Sequence, residues 1–167
     1  MAHRTLRIAA AGALAALAAL SGGCLGRASV MDVLSADPQF AGFAELLRQA
    51  ELEAELRGPG PYTVFAPTDA ALGPAGSPQR EALAADKEKL RTVLRYHLTG
   101  GRRTAAEVAD APELPTLAEG KSLRITAVKA PDPKDSQLMV DTATVVRPDV
   151  QAGNGVIHGI DQVLGPR

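Results

Sequence analysis

The chain has 167 residues, 18 of them Lys or Arg and 19 Asp or Glu, for a formal charge of −1. That balance argues against nucleic acid or an anionic membrane surface as a partner selected by overall charge. Tryptophan is absent and aromatic residues make up 3% of the chain, so an aromatic-lined sugar groove is disfavoured and the core must be aliphatic.

The first two dozen residues have the layout of a processing segment. Arg4 and Arg7 form a positive start, residues 8–20 are an almost pure Ala/Leu run, and Ser21, Gly22 and Gly23 follow. Thirteen apolar residues are short for a span of about 20 and suit a signal peptide. Cys24 is the only cysteine, so an intramolecular disulfide is excluded. Its place after small residues resembles the lipobox of bacterial lipoproteins, in which the cysteine is acylated and becomes the mature N-terminus. The match departs from the usual pattern, because Leu20 stands four residues before the cysteine and not three. Residues 1–23 are therefore expected to be a lipoprotein-type signal peptide and Cys24 the lipidation site. Leu25 at the next position, where the resemblance would place aspartate for inner-membrane retention, favours the outer membrane or cell surface. Without the anchor, the protein would be periplasmic or secreted. Removing residues 1–23 takes away Arg4 and Arg7, leaving 16 basic against 19 acidic residues and a charge of −3. The remainder is long enough for one domain with one core.

Residues 24–28 are too short to be much of a spacer. Ser29 and Asp32 have capping-box spacing, and Asp37 with Pro38 reads as an N-cap followed by proline at the first helical position. Phe40, Phe43, Leu46, Leu47 and Ala50 recur at three- and four-residue steps and define one apolar helix face. Leu52 and Leu56 either extend that helix or belong to a second one. Residues 58–61, Gly-Pro-Gly-Pro, break it. Residues 62–66 read as a strand ending at Pro67, with Thr68 as N-cap and Asp69 in the first turn of the next helix. Ser77 with Pro78 and then Asp86 start two further helices, the second turning Leu90, Val93, Leu94 and Tyr96 inward. Thr104 and Glu107 form another capping box. After that the period changes: residues 114–118, 122–128, 138–140, 143–146 and 156–163 read as strands. Glu119-Gly120 suits a hairpin turn, residues 131–136 a polar loop, and Gly153-Asn154-Gly155 a tight turn with positive φ. Helices first and strands later define an α+β domain.

Three blocks then come together. Residues 63–72 (TVFAPTDAAL) resemble the first signature motif of fasciclin (FAS1) domains, Leu94-Arg-Tyr-His-Leu98 their central Tyr-His motif, and residues 154–164 (NGVIHGIDQVL) the second signature motif. Residues 29–167 are identified on this basis as a FAS1 domain. Leu72 stands where phenylalanine is common, which trims the core, and Gly159 where a β-branched residue is, which would loosen the last strand. The resemblance implies a wedge of two β-sheets flanked by helices of the N-terminal half, with the two signature motifs paired at its centre. Within those motifs it implies structural roles for Thr63, Phe65, Pro67, Thr68, Asp69, Tyr96, His97, Asn154, Gly155, His158 and Asp161. It also implies adhesion through protein or carbohydrate contacts.

His97 and His158 admit two readings. They could form a metal or acid/base pair with Asp69 or Asp161, giving a His-dependent hydrolase. Alternatively each ties a strand end to a neighbouring segment, the role their motifs imply. No Cys/His cluster, G-x-S-x-G elbow or Gly-rich phosphate loop supports catalysis, so no enzyme activity, cofactor or metal is expected. Asp69 and Asp161 likewise read as a helix-start charge and a strand-end turn. Arg91, Arg95, Arg102 and Arg103 are a local basic cluster that could meet acidic polysaccharide, or the solvated face of a helix. The expected function is a non-catalytic, envelope-anchored binding module contacting proteins or glycans. The alternative is an envelope-organising partner of another membrane protein.

Overall fold

The computed structural model describes residues 28–128 and 137–165. The expected signal peptide, the expected lipidation site Cys24 and the expected loop at residues 131–136 lie outside these residues. Ser29 and Asp32 do form a reciprocal capping box, and α1 runs over Val30–Ala36. The expected helix start at Asp37-Pro38 is corrected. Asp37 closes α1, its carbonyl accepts the Phe40 amide, and a turn delays α2 to Ala41–Gln49. The Asp37 carboxylate is already engaged by the Gln39 amide and by Arg147, so it cannot cap α2. Phe43, Leu46 and Leu47 of α2 are buried, as are Phe40 and Ala50 at its ends. Glu51 takes φ 59, the left-handed conformation that stops a helix, so Leu56 sits on a separate α3 (Glu53–Leu56). Thr68 caps α4 (Asp69–Leu72), Ser77 caps α5 (Pro78–Ala84), and Asp86 caps α6 (Lys87–Tyr96). Thr104 and Glu107 box the start of α7 (Ala105–Ala109).

Seven strands follow or interleave: β1 (Tyr62–Pro67), β2 (Leu98–Gly100), β3 (Glu113–Pro115), β4 (Ser122–Val128), β5 (Gln137–Val140), β6 (Ala143–Ala152) and β7 (Gly155–Ile160). Their order is β2-β1-β7-β6-β5-β4-β3. A bridge between Thr99 and Thr116 brings the two ends together, so the expected pair of sheets is joined into one nearly closed sheet. β1 and β7, carrying the two signature motifs, run parallel with Phe65 opposite His158 and Pro67 opposite Ile160.

Three strand boundaries differ from expectation. β3 is shorter, and Leu117 leaves the strand to bond the Leu98 carbonyl. β7 stops at Ile160, where Asp161 turns away. β6 continues well past Val146, because register shifts on either side of Arg147 absorb Pro148, which has no amide to give to a regular ladder. Asp149 in this irregular stretch takes φ 58. The Gly153–Gly155 turn is corrected as well, since Gly155 does not adopt positive φ. It is glycine because a Cβ would stand 2.3 Å from the Tyr62 carbonyl oxygen and 2.9 Å from Val30.

The sheet separates two buried clusters. Val64, Ala66 and Ile157 face the helices with Phe43, Leu47, Leu90 and Leu94. Phe65 and Ile160 face the inside of the curl, with Leu114, Leu123, Val140 and Tyr96. Alternate residues of β1 thus serve opposite cores, so both faces of the strand are buried. Each such Leu, Ile or Phe contributes about 1.5–3 kcal/mol by leaving water. Leu72, in the position of the family's phenylalanine, is buried in the helix-side cluster. Gly159 does not loosen β7. The Phe40 ring lies over it, 3.0 Å from where a Cβ would be, and Arg147 covers that ring from 5.7 Å.

Candidate functional site

His97 follows α6 and is fully buried. Its Nε2 accepts the Leu164 amide at 2.9 Å, so Nδ1 carries the proton and donates to the Val93 carbonyl at 2.8 Å. Phe43 covers the ring at 5.7 Å between centroids. Burial pushes the pKa down to about 4, against a smaller upward effect of the Val93 carbonyl, and the ring is neutral at physiological pH.

His158, on β7, is held as the opposite tautomer. Nδ1 accepts the Asp149 amide at 3.2 Å and Nε2 donates to the Arg103 carbonyl at 3.0 Å. Its ring stacks on Phe65 with centroids 5.5 Å apart and planes at 29°. Burial again lowers the pKa, opposed by the Arg103 bond and the Asp149 charge. Each imidazole therefore spends both nitrogens on backbone groups. His97 ties the C-terminal segment to α6, and His158 ties the irregular stretch of β6 to the loop after β2.

The carboxylates are equally separate. Asp69 Oδ1 accepts the Gly42 amide of α2 at 2.8 Å, while Asp161 Oδ1 accepts the Thr144 amide at 2.7 Å. Neither bonds a histidine. Tyr96 places its hydroxyl between the Asp141 carboxylate (2.7 Å) and the Ser122 carbonyl (3.2 Å). Thr63 donates to the Gly101 carbonyl and accepts the Arg103 amide. Asn154 accepts the Val30 amide and donates to the Leu56 and Gly58 carbonyls, joining three segments. Among the described residues, no group of three or more His, Cys, Asp and Glu side chains could hold a metal ion.

The basic cluster divides. Arg95 pairs with Glu55 at 3.2 Å, and Glu51 takes both Lys87 at 2.6 Å and, more distantly, Arg91 at 4.0 Å. This face of α6 is thus neutralised by Glu51 of the α2–α3 connection and Glu55 of α3. Arg102 instead bonds the Ala152 carbonyl and the Gln151 side chain, both uncharged.

The surface offers more than the motifs do. Pro38, Gln39, Thr68, Asp69, Ala70, Val146 and Arg147 line an open cleft of about 630 Å³. Val146 is 55% exposed beside it. Thr68 and Asp69 therefore cap helices and also form one wall of the cleft. Sequence reasoning missed Val146 and Arg147. The available signal was Pro148, a proline in an otherwise strand-like run, which marks an irregularity that can re-aim its neighbours.

Residues 38–166 match the fasciclin domain family, and the chain belongs to that family. Protein sll1483 of Synechocystis sp. (strain ATCC 27184 / PCC 6803 / Kazusa) is 38% identical over 140 residues, covering 83% of this chain and 73% of that protein. Transforming growth factor-beta-induced protein ig-h3 of Sus scrofa is 31% identical over 138 residues, covering 83% of this chain but 19% of the longer animal protein. Among solved structures, a FAS1 domain pair from the insect cell adhesion molecule Fasciclin I superposes with a TM-score of 0.67 at 21% identity. It covers 82% of this chain and 50% of the pair, a likeness of fold. FAS1 domains are found in cell adhesion proteins.

Proposed function

We propose that this protein is a non-catalytic binding module, exported by residues 1–23 and held on the outer membrane or cell surface by acylated Cys24. It contacts proteins or glycans of the envelope or matrix. The observation that carries the non-catalytic reading is the complete engagement of both histidines: each ring nitrogen bonds a backbone group, so neither holds a lone pair toward solvent as a general base. The adhesion reading is supported by membership of a family that includes an insect cell adhesion molecule.

The contact surface is the cleft beside Arg147, where an exposed valine, a proline and the apolar part of the arginine meet two polar motif residues. The test places a photo-crosslinker at Val146 in the intact envelope. Products with matrix protein or glycan, lost in Arg147→Glu, support adhesion. Products with one envelope protein replace it with the envelope-organising role. Crosslinking that ignores Arg147→Glu moves the contact away from this cleft.

A further inference from the structure

The end of the wedge where the described chain begins has a distinct chemistry. The Ala28 carbonyl accepts the Gly153 amide at 2.7 Å, fixing the chain at the start of β7. Ala28, Val33, Arg102, Gln151, Ala152 and Gly153 line a cleft of about 400 Å³ there. Arg102 is exposed, and its guanidinium is held by two uncharged oxygens, with no carboxylate partner among the described residues. The nearby acids are engaged elsewhere. Asp32 is bound by Ser29 and Arg57, and Asp149 accepts the Ala105 amide. Arg27 adds a second positive charge immediately before Ala28 in the sequence.

Cys24 is four residues from Ala28, a reach of at most about 14 Å even when fully extended. A domain tethered that closely must lay this end near the headgroups. β1 and β7 both start here, Tyr62 opposite Gly155, and both end at the opposite pole, Pro67 opposite Ile160. Six strand residues separate the poles by roughly 17 Å. The Arg147 cleft is walled by Thr68 and Asp69 just beyond Pro67, at the far end of β1, and a second cleft lined by Ala28, Asp37, Pro38 and Arg147 runs from it along α1 toward the Ala28 pole.

Resting on the Cys24 anchoring reading above, we propose that the Ala28 pole lies against the bilayer with Arg102 on the phosphate of an anionic lipid headgroup. The Arg147 cleft then faces away from the membrane. The chain's net charge gives no hint of this, because the attraction is local and acts within a Debye length of the surface.

The test uses the full chain processed in its own export system and reconstituted into vesicles of phosphatidylcholine, alone or mixed with phosphatidylglycerol. Single fluorescent labels are placed by Gly100→Cys near the anchor, where a Cβ meets nothing within 4 Å, or by Ala70→Cys at the exposed far pole. A headgroup-bound quencher reads proximity. The expected result is several-fold stronger quenching at position 100 than at 70 in the anionic vesicles. Arg102→Glu, high salt or removal of phosphatidylglycerol should each reduce the difference. Equal quenching, or stronger quenching at 70, with Cys24 shown by mass to be acylated, overturns the orientation alone. A difference indifferent to Arg102→Glu and to phosphatidylglycerol overturns the headgroup contact. A mass showing unmodified Cys24 overturns the anchoring reading and the orientation with it.

Discussion

The Asp69 carboxylate caps α2 from far along the chain, accepting the amide of Gly42, 27 residues before it, at 2.8 Å. The carboxylate and the helix start are locked together in a second way, because the Asp69 amide donates to the Gln39 carbonyl at 2.8 Å. Gly42 is small for this reason: a Cβ there would stand 2.6 Å from Asp69 Oδ1. Asp69→Ala should cost about 1–2 kcal/mol, the usual worth of a helix cap. Gly42→Ala should destabilise the wild type yet stabilise the Asp69→Ala protein, where helix propensity favours alanine by about 1 kcal/mol. Urea denaturation of the two single variants and the double variant measures this reversal of sign.

Acid should weaken the fold through His97. Its folded pKa of about 4 lies below the ordinary histidine value of about 6.5, so the unfolded chain binds the proton first. Stability is full above about pH 6.5 and falls as pH drops toward 4, by about 3 kcal/mol from this residue if each pKa unit is worth about 1.4 kcal/mol. His158 shifts in the same direction and adds to the loss. Unfolding free energy followed between pH 7 and pH 4 should show the slope. His97→Gln, which cannot titrate, should be less stable at pH 7 but flatter with pH.

Phe40 and Gly159 form a complementary pair across the helix–sheet boundary. Gly159→Val, which inserts the β-branched residue common in the family, should cost about 1–3 kcal/mol by overpacking. Phe40→Leu in the same chain should recover part of that loss, although alone it is destabilising. Thermal melts of all four proteins give the coupling energy directly.

Asn154 makes three side-chain hydrogen bonds to backbone groups of segments far apart in sequence. Asn154→Ala should destabilise by about 2–3 kcal/mol, since net bonds of roughly 1 kcal/mol are lost and partners are left unpaired. Asn154→Asp should be at least as damaging at neutral pH, because a carboxylate cannot donate to the Leu56 and Gly58 carbonyls. Amide exchange at Val30 reports whether α1 detaches first.

Local chemistry made much of this fold readable. The capping boxes at Ser29 and Thr104, the Thr68 cap and the buried face of α2 all depend on residues a few positions apart. The β1–β7 pairing followed from the fasciclin resemblance, since no local signal joins strands so distant in sequence. Where sequence reading erred, long-range partners had overruled local preference. Asp37 could not cap α2 because Arg147 engages it, and Pro148 did not end β6 because irregular pairing absorbed it. Gly159 looked like a weakness because its neighbour Phe40 precedes it by more than a hundred residues. The cleft at Val146 and Arg147 was invisible for the same reason: its walls come from three separate segments.

The parallel seating of β1 beside β7 also sets the order in which the molecule can be completed. β1 has β2 on one edge, but its other partner, β7, emerges only roughly ninety residues later, and closing that contact costs more entropy than the local ones. The helices can form early from local contacts, but the sheet closes only when the last strand arrives. Until then the edge of β1 that faces β7 lacks its partner. An unpaired strand edge is a template for association, so seating β7 is the step that removes this hazard from the sheet.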